Sequence, residues 1–116
     1  MAKLPKKVYY HEGPDGKMHP DLVKPEYGEW GEARLRYMKQ YLPEELMELL
    51  RNCELNHYLN KLDRRAMDKF ESLVAQKAKH HGVTEELKER DPMQWIGLMG
   101  NIQHEVTQII EEPFIY

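Results

Sequence analysis

From residue 30 onward, apolar residues recur at the three- and four-residue spacing of an amphipathic α-helix. This spacing predicts a first helix over about residues 31–41. A second helix begins at Pro43, because proline is well tolerated at the first helical position. The face of the second helix is lost near Asn52, so we expect a break there. The apolar positions of these two helices are Leu35, Met38, Tyr41, Leu42, Leu46, Leu49, Leu50 and Cys53.

A third and much longer helix is predicted over about residues 54–80, with neither proline nor glycine before Gly82. We expect it to end at Gly82, because glycine readily adopts the left-handed conformation that terminates many helices. Its apolar residues fall in one narrow stripe. They are Leu55, Tyr58, Leu59, Leu62, Ala66, Phe70 and Leu73.

Two further helix starts follow Gly82. Thr84 is a suitable cap for a short helix with acidic residues in its first turn, and Asp91-Pro92 is a cap followed by a first-turn proline. We expect the final helix to end before Pro113, and we expect its glycines, at positions 97 and 100, to allow close packing. Its broad apolar face consists of Trp95, Leu98, Met99, Ile102, Val106, Ile109 and Ile110.

Residues 1–29 have a different character and hold four of the seven prolines. A Gly-Pro-Asp-Gly turn lies between two short extended pieces, but Pro20 weakens the hairpin signal in the second piece. An irregular arm and a small β-hairpin both remain open for residues 1–29. Residues 30–116 are predicted to form an all-α domain of four to five helices, in which the long central helix packs antiparallel on the C-terminal helix.

Composition places the chain among soluble globular proteins, with 32% charged and 41% apolar residues. The longest apolar runs are too short to span a membrane, and the basic N-terminus lacks the apolar segment of a signal peptide. A single cysteine excludes an internal disulfide and fits a reducing compartment. We therefore expect a cytoplasmic protein without a membrane partner.

Charge is distributed unevenly along the chain. Residues 1–42 carry a formal charge of +2, residues 43–82 are neutral, and residues 83–116 hold two Lys/Arg against seven Asp/Glu. Nonspecific nucleic-acid binding depends on a positive excess, which is small here and confined to the front of the chain. The acidic final third would repel a phosphate backbone and suits a basic protein partner instead.

The side chains with catalytic or metal-binding potential form no recognisable site. Six histidines give no HExxH motif and the single cysteine gives no CxxC, so no metal site and no cofactor are predicted. No GxSxG motif and no glycine-rich phosphate loop is present, and the carboxylates are spread over helix surfaces. We expect Cys53 to be a core residue. No catalytic residue, no small-molecule substrate and no enzymatic activity follow.

The segment RLRYMK, residues 34–39, places three cations around a tyrosine and is the strongest candidate for a nucleic-acid contact. On a helical wheel Arg36 and Lys39 lie to one side of the apolar arc, whereas Arg34 lies within it. A helix that reads a DNA groove presents its cations on a common outward face. We expect Arg34 to lie over the edge of the core and pair with a carboxylate, which leaves Arg36 and Lys39 as the candidate nucleic-acid contacts.

Several longer segments resemble the TnpV family of transposon-encoded proteins: GEARLRYMKQYLPEEL, LNHYLNKLDRRA, HGVTEELKERDPMQWIGLMGNI and the terminal FIY. The resemblance runs over residues 27–116 with matching order and spacing. It implies a small accessory protein carried on mobile elements of Gram-positive bacteria. The family has been likened to excisionases, which bend or mark DNA for a recombinase. No catalytic or binding residues are established for it, so none is carried over.

Two functional hypotheses follow. In the first, the protein is a non-enzymatic accessory factor that binds DNA, or a recombinase of its element, during excision or transfer. In the second, it is an anti-CRISPR-like inhibitor that binds a host defence nuclease through an acidic face. The candidate residues of that face are Glu89, Glu105, Glu111 and Glu112. A contiguous basic surface would favour the first hypothesis, and a contiguous acidic surface would favour the second.

Overall fold

The structure is a computed structural model, and it describes residues 7–116. The described elements, in chain order, are β1 (Tyr9–Glu12), β2 (Met18–Asp21), α1 (Glu29–Tyr41), α2 (Pro43–Arg51), α3 (Leu55–His80), α4 (Glu85–Arg90) and α5 (Pro92–Phe114). The predicted all-α body is therefore confirmed. The long central helix, α3, packs on the C-terminal helix, α5.

The chain packs as two compact units. The first contains residues up to Arg64 together with Ile115, and the second contains Arg65–Phe114 together with Tyr116. The first unit holds the hairpin, α1, α2 and the start of α3. The second holds the remainder of α3 with α4 and α5.

The region before α1 contains a β-hairpin rather than an irregular arm. Its two strands pair antiparallel, with His11 opposite His19. The turn begins at Gly13, whose carbonyl accepts a hydrogen bond from Gly16 N–H (2.9 Å). Pro20 is accommodated because both strands of a two-stranded sheet have a free edge, where a missing N–H removes no ladder bond.

Asp21, at the end of β2, is buried and supplies a cap for the distant helix α3. Asn56 N–H donates to its Oδ2 (2.9 Å), and Val23 N–H donates to its Oδ1 (3.0 Å). The first turn of α3 contains no acidic residue of its own. A carboxylate at this position satisfies one of the unpaired N–H groups and is favoured by the positive end of the helix.

The side chain of Asn56 is fully buried and contacts the hairpin from the other direction. Its Nδ2 donates to the carbonyl of Val23 (2.8 Å), so its Oδ1 must act as the acceptor towards His11 Nε2 (2.7 Å). His11 therefore carries a hydrogen on Nε2. This one amide ties both the hairpin and the segment after it to α3.

Two more polar residues continue the same side of α3, at one-turn intervals. Asn60 Oδ1 accepts from the N–H groups of Glu26 (2.7 Å) and Tyr27 (3.0 Å), and its Nδ2 donates to the carbonyl of Lys24 (2.9 Å). Asp63 Oδ1 accepts from Gly31 N–H (2.9 Å). We refer to Asn56, Asn60 and Asp63 as the polar ladder. It holds the segment between β2 and α1, together with the first turn of α1, along the side of α3.

The apolar core of the first unit lies between α1, α2 and the first turns of α3. Its buried residues are Met38, Leu46, Leu50, Leu55 and Leu59. The predicted apolar arc of α1 is correct for Met38, which is buried, and for Leu35 and Leu42, which pack against the core. It is wrong for Tyr41, which is 60% exposed and packs its ring on Tyr37 instead (centroids 4.9 Å apart).

Helix α2 ends where its apolar face is lost, but Cys53 is not part of that face. Cys53 lies one residue beyond the helix cap, has a φ of 56° and is half-buried. Its N–H donates to the carbonyl of Leu50 (3.1 Å), and Glu54 N–H donates to that of Leu49 (2.9 Å). These two bonds form a Schellman motif, with cysteine at the left-handed position that glycine usually occupies.

The end of α3 repeats the same motif with glycine. Gly82 has a φ of 70° and donates to Lys79, while Val83 N–H donates to the carbonyl of Ala78 (2.8 Å). Val83 and Ala78 are both buried, which is the hydrophobic contact that accompanies this motif. Thr84 then caps α4 as predicted, since its Oγ1 accepts from Leu87 N–H (3.3 Å).

In the second unit, α3 and α5 are antiparallel, as predicted. Lys77, near the end of α3, pairs with Glu105 of α5, whereas Phe114 lies beside residues 65–72 of α3. Ile102, Val106 and Ile110 form the buried face of α5, but Ile109 is 46% exposed.

Two further expectations for α5 are wrong. Nothing lies within 4 Å of a Cβ added at Gly97 or Gly100, so neither glycine serves close packing. The helix also continues through Pro113 to Phe114. In the last turn a proline removes only the bond to the carbonyl four residues earlier, and that carbonyl belongs to the exposed Ile109.

We expect Asn56→Ala to lower the free energy of unfolding more than Asn60→Ala does. Both changes remove side-chain hydrogen bonds to the chain before α1, but Asn56 is fully buried and both of its bonds are partly buried, whereas two of the three bonds of Asn60 are exposed. The estimated costs are roughly 3 kcal/mol and 1–2 kcal/mol. Urea unfolding measures the difference in the free energy of unfolding. In Asn60→Ala, hydrogen exchange should also be faster at the amides of Glu26 and Tyr27, which donate to Asn60. Asn101→Ala, on the exposed side of α5, is the control. Equal losses for the two ladder variants would contradict the assignment.

Glycine-to-alanine changes at two exposed positions should have opposite effects on stability. Gly82→Ala forces a side chain into the left-handed conformation and should cost about 1–2 kcal/mol. Gly97→Ala lies within α5 and should gain about 0.5–1 kcal/mol. Neither alanine meets another atom within 4 Å, so conformation alone sets the sign. Thermal melts that shift in the same direction for both variants would contradict this.

Candidate nucleic-acid interface

Arg36 and Lys39, the predicted nucleic-acid contacts, both lie on the solvent-facing side of α1. Both side chains are exposed, and neither forms an ion pair with another residue in the range 7–116. The same side of the helix carries Glu29 and Glu32, which belong to its first turn. The two cations are thus accessible, but the surface around them has no net positive charge.

Arg34, the third cation of the segment, is used inside the protein. Its Nε donates to the hydroxyl of Tyr58 (3.1 Å), its NH1 donates to the carbonyl of Ile115 (2.9 Å), and its guanidinium lies over the ring of Tyr37 (5.6 Å). The expectation that Arg34 lies at the core edge is therefore correct. The expected carboxylate partner is wrong, because a phenol and a backbone carbonyl accept its hydrogen bonds.

A small pocket lies beside Lys39 in the first unit. Its polar side is formed by His11, Glu12 and Lys39, and its floor by four leucines, Leu35, Leu46, Leu50 and Leu55. The pocket has a volume of about 70 Å³, enough for about two water molecules. Pockets for small-molecule ligands usually measure roughly 300–1,000 Å³, so this one suits the end of a side chain at most.

A larger and more open groove lies in the second unit, along α3. It has a volume of about 380 Å³ and is lined by Arg65, Asp68, Lys69, Ser72 and Phe114. Arg65 and Lys69 are one helical turn apart and both are exposed. We call this feature the α3 groove. The run RRAMDKF signals its two cations, but the contribution of Phe114 depends on how α5 packs and has no local signal.

The four carboxylates proposed for an acidic face are differently placed. Glu105 pairs with Lys77 (3.3 Å), and Glu111 is half-buried, whereas Glu112 is exposed. On α5, Glu105 and Glu112 are two turns apart and share a side, but Glu111 points about 100° away from Glu112. Glu89, on α4, is exposed and lies between two cations in sequence, Lys88 and Arg90. The four carboxylates are therefore divided between α4, which carries Glu89, and two sides of α5.

Residues 7–116 contain no group of three or more His, Cys, Asp or Glu side chains placed to hold a metal ion. In the same range, none of the helices has the length and apolar character needed to cross a membrane. His80 and His81, the adjacent histidines at the end of α3, contact each other edge to face (centroids 5.1 Å apart).

A protein-family model described as transposon-encoded protein TnpV matches residues 9–115 of the chain. The chain belongs to the TnpV family. For this TnpV-family chain the match begins in β1, so it includes the hairpin as well as the helices whose segments carry the sequence resemblance. Comparisons with curated proteins and with solved structures gave no match. The family identifies the chain as transposon-encoded and leaves its binding partner to be inferred from the surface.

Proposed function

We propose that this TnpV-family protein is a non-enzymatic accessory factor that binds DNA during excision or transfer of its mobile element. The observation that supports the proposal is that the three cations of the RLRYMK segment differ in their contacts. Arg34 is committed to internal hydrogen bonds, whereas Arg36 and Lys39 remain exposed and without an ion-pair partner in the described chain. Exposed cations of this kind are suited to contacting phosphate oxygens.

The charges around these two cations determine the strength and type of binding. Glu29 and Glu32, on the same side of α1, reduce the attraction for phosphates, and the net charge of the whole chain is −3. Binding through phosphate contacts alone would therefore be weak at physiological salt. A factor of this kind gains affinity from a partner protein on the same DNA, and a recombinase of the element would fit that role.

The alternative function, inhibition of a host defence nuclease, has less support from the surface. It requires acidic side chains that face a basic channel together, and charge complementarity would then speed the encounter. Glu105 is already paired with Lys77, and Glu111 is half-buried and directed elsewhere. The observation that favours this alternative is the strongly acidic composition of residues 83–116.

Binding of element-end duplex DNA should be detectable by gel shift at low salt and should depend on Arg36 and Lys39. The double variant Arg36→Ala/Lys39→Ala should lose two phosphate contacts. The slope of log affinity against log salt, which is negative, should then become shallower by about 1.8. Arg51→Ala, which removes an exposed cation from the end of α2, is the matched control and should leave the slope unchanged.

Absence of any shift at low salt would end the proposal of DNA binding by this chain alone. Equal slopes for the double variant and for Arg51→Ala would remove α1 from the contact surface.

A further inference from the structure

We propose that the α3 groove binds single-stranded nucleic acid, with phosphates on Arg65 and Lys69 and a base stacked on Phe114. This inference rests on the proposed function, DNA binding, and assigns it a second surface and a strand preference. It is carried by the lining of one shallow, open surface feature, which combines two cations, a hydroxyl and an aromatic ring.

The two cations are placed to contact neighbouring phosphates along one strand. Arg65 and Lys69 are successive residues on the same side of α3, with Cβ atoms roughly 5–6 Å apart. Neither side chain forms an ion pair or a hydrogen bond with any other residue in the range 7–116. Ser72, one turn from Asp68, adds a hydroxyl that can donate to a phosphate oxygen.

The aromatic residue distinguishes a single strand from a duplex. Phe114 is half-buried and lines the groove from the last turn of α5. A base in a duplex is stacked between its neighbours and cannot stack on a half-buried protein ring, whereas an unpaired base can. Proteins that bind single strands without sequence preference combine these same parts, a positive groove and aromatic side chains on which bases stack. With a volume of about 380 Å³, the groove is large enough for a small ligand group.

Asp68 also lines the groove and opposes the binding of an anion. Its carboxylate lies between the two cations in sequence, yet it forms no ion pair with either of them among the described residues. The groove keeps a net positive charge, since two cations face one carboxylate. Neutralising Asp68 should therefore strengthen binding, whereas neutralising Arg65 and Lys69 should weaken it.

The experiment measures fluorescence anisotropy of a labelled single-stranded oligonucleotide of about 12 nucleotides and of the same sequence as a duplex, over a range of salt concentrations. The full chain should bind the single strand more tightly than the duplex. Arg65→Gln/Lys69→Gln should make the negative slope of log affinity against log salt shallower by about 1.4 for the single strand. Phe114→Leu should weaken binding about tenfold and leave that slope unchanged. Asp68→Asn should bind several-fold more tightly than the parent.

The control is Lys79→Gln, which removes one positive charge from an exposed position on α3 outside the groove. Lys79 lies about 15 Å beyond Lys69 along the helix. Because Arg65 and Lys69 are exposed, their double variant should fold normally, so the result does not depend on whether Phe114→Leu is destabilised. If the double variant and Lys79→Gln bind the single strand with the same affinity and salt dependence, the proposal for the α3 groove is wrong. This holds even if duplex binding depends on Arg36 and Lys39. Failure to bind either form of DNA at low salt would overturn both proposals.

Discussion

The polar ladder of α3 is the interaction on which the first unit depends. A helix side that carries Asn56, Asn60 and Asp63 cannot join an apolar core, but it can supply donors and acceptors to a chain segment that lacks regular structure. The segment between β2 and α1 has backbone groups that neither a helix nor a sheet satisfies. Asn56 and Asn60 satisfy several of them, and Asp63 accepts a hydrogen bond from the first turn of α1. Asp21 in turn caps the helix that carries the ladder. The hairpin and α3 therefore stabilise each other, although about 35 residues separate the two ends of this contact.

The helical part of the fold was predictable because its signals are local. A continuous apolar stripe without proline or glycine predicts one long helix, and α3 ends at Gly82 with the bonds that a left-handed glycine allows. The position of Cys53 does not follow from its pattern, because a cysteine on an apolar arc resembles a core residue, whereas its positive φ is a property of the turn. Glycine in a helix often marks close packing, but Gly97 faces open space. Proline usually ends a helix, but Pro113 lies in the last turn of α5, where the helix continues to Phe114.

The interactions that could not be predicted are those that join distant residues. Asparagines one turn apart on a helix are typical of a solvated surface, so nothing in their spacing identifies a clamp for residues 24–27. The wheel position of Arg34 correctly separated it from Arg36 and Lys39, but its acceptors, Tyr58 and Ile115, are 24 and 81 residues away. In the same way, the cations of the α3 groove can be read from the sequence, and the aromatic ring beside them cannot.

The hydrogen bond from Arg34 to the carbonyl of Ile115 has a consequence for the order of events on the ribosome. Ile115 is buried and belongs to the first unit, yet it is synthesised after every residue from 65 to 114. The hairpin, α1 and α2 emerge early and must wait for this late residue before Arg34 gains its backbone acceptor. The core of the first unit needs no residue beyond Leu59, so it can form before this bond does. The contact between Arg34 and Ile115 is therefore a late addition to a part of the protein that is synthesised early.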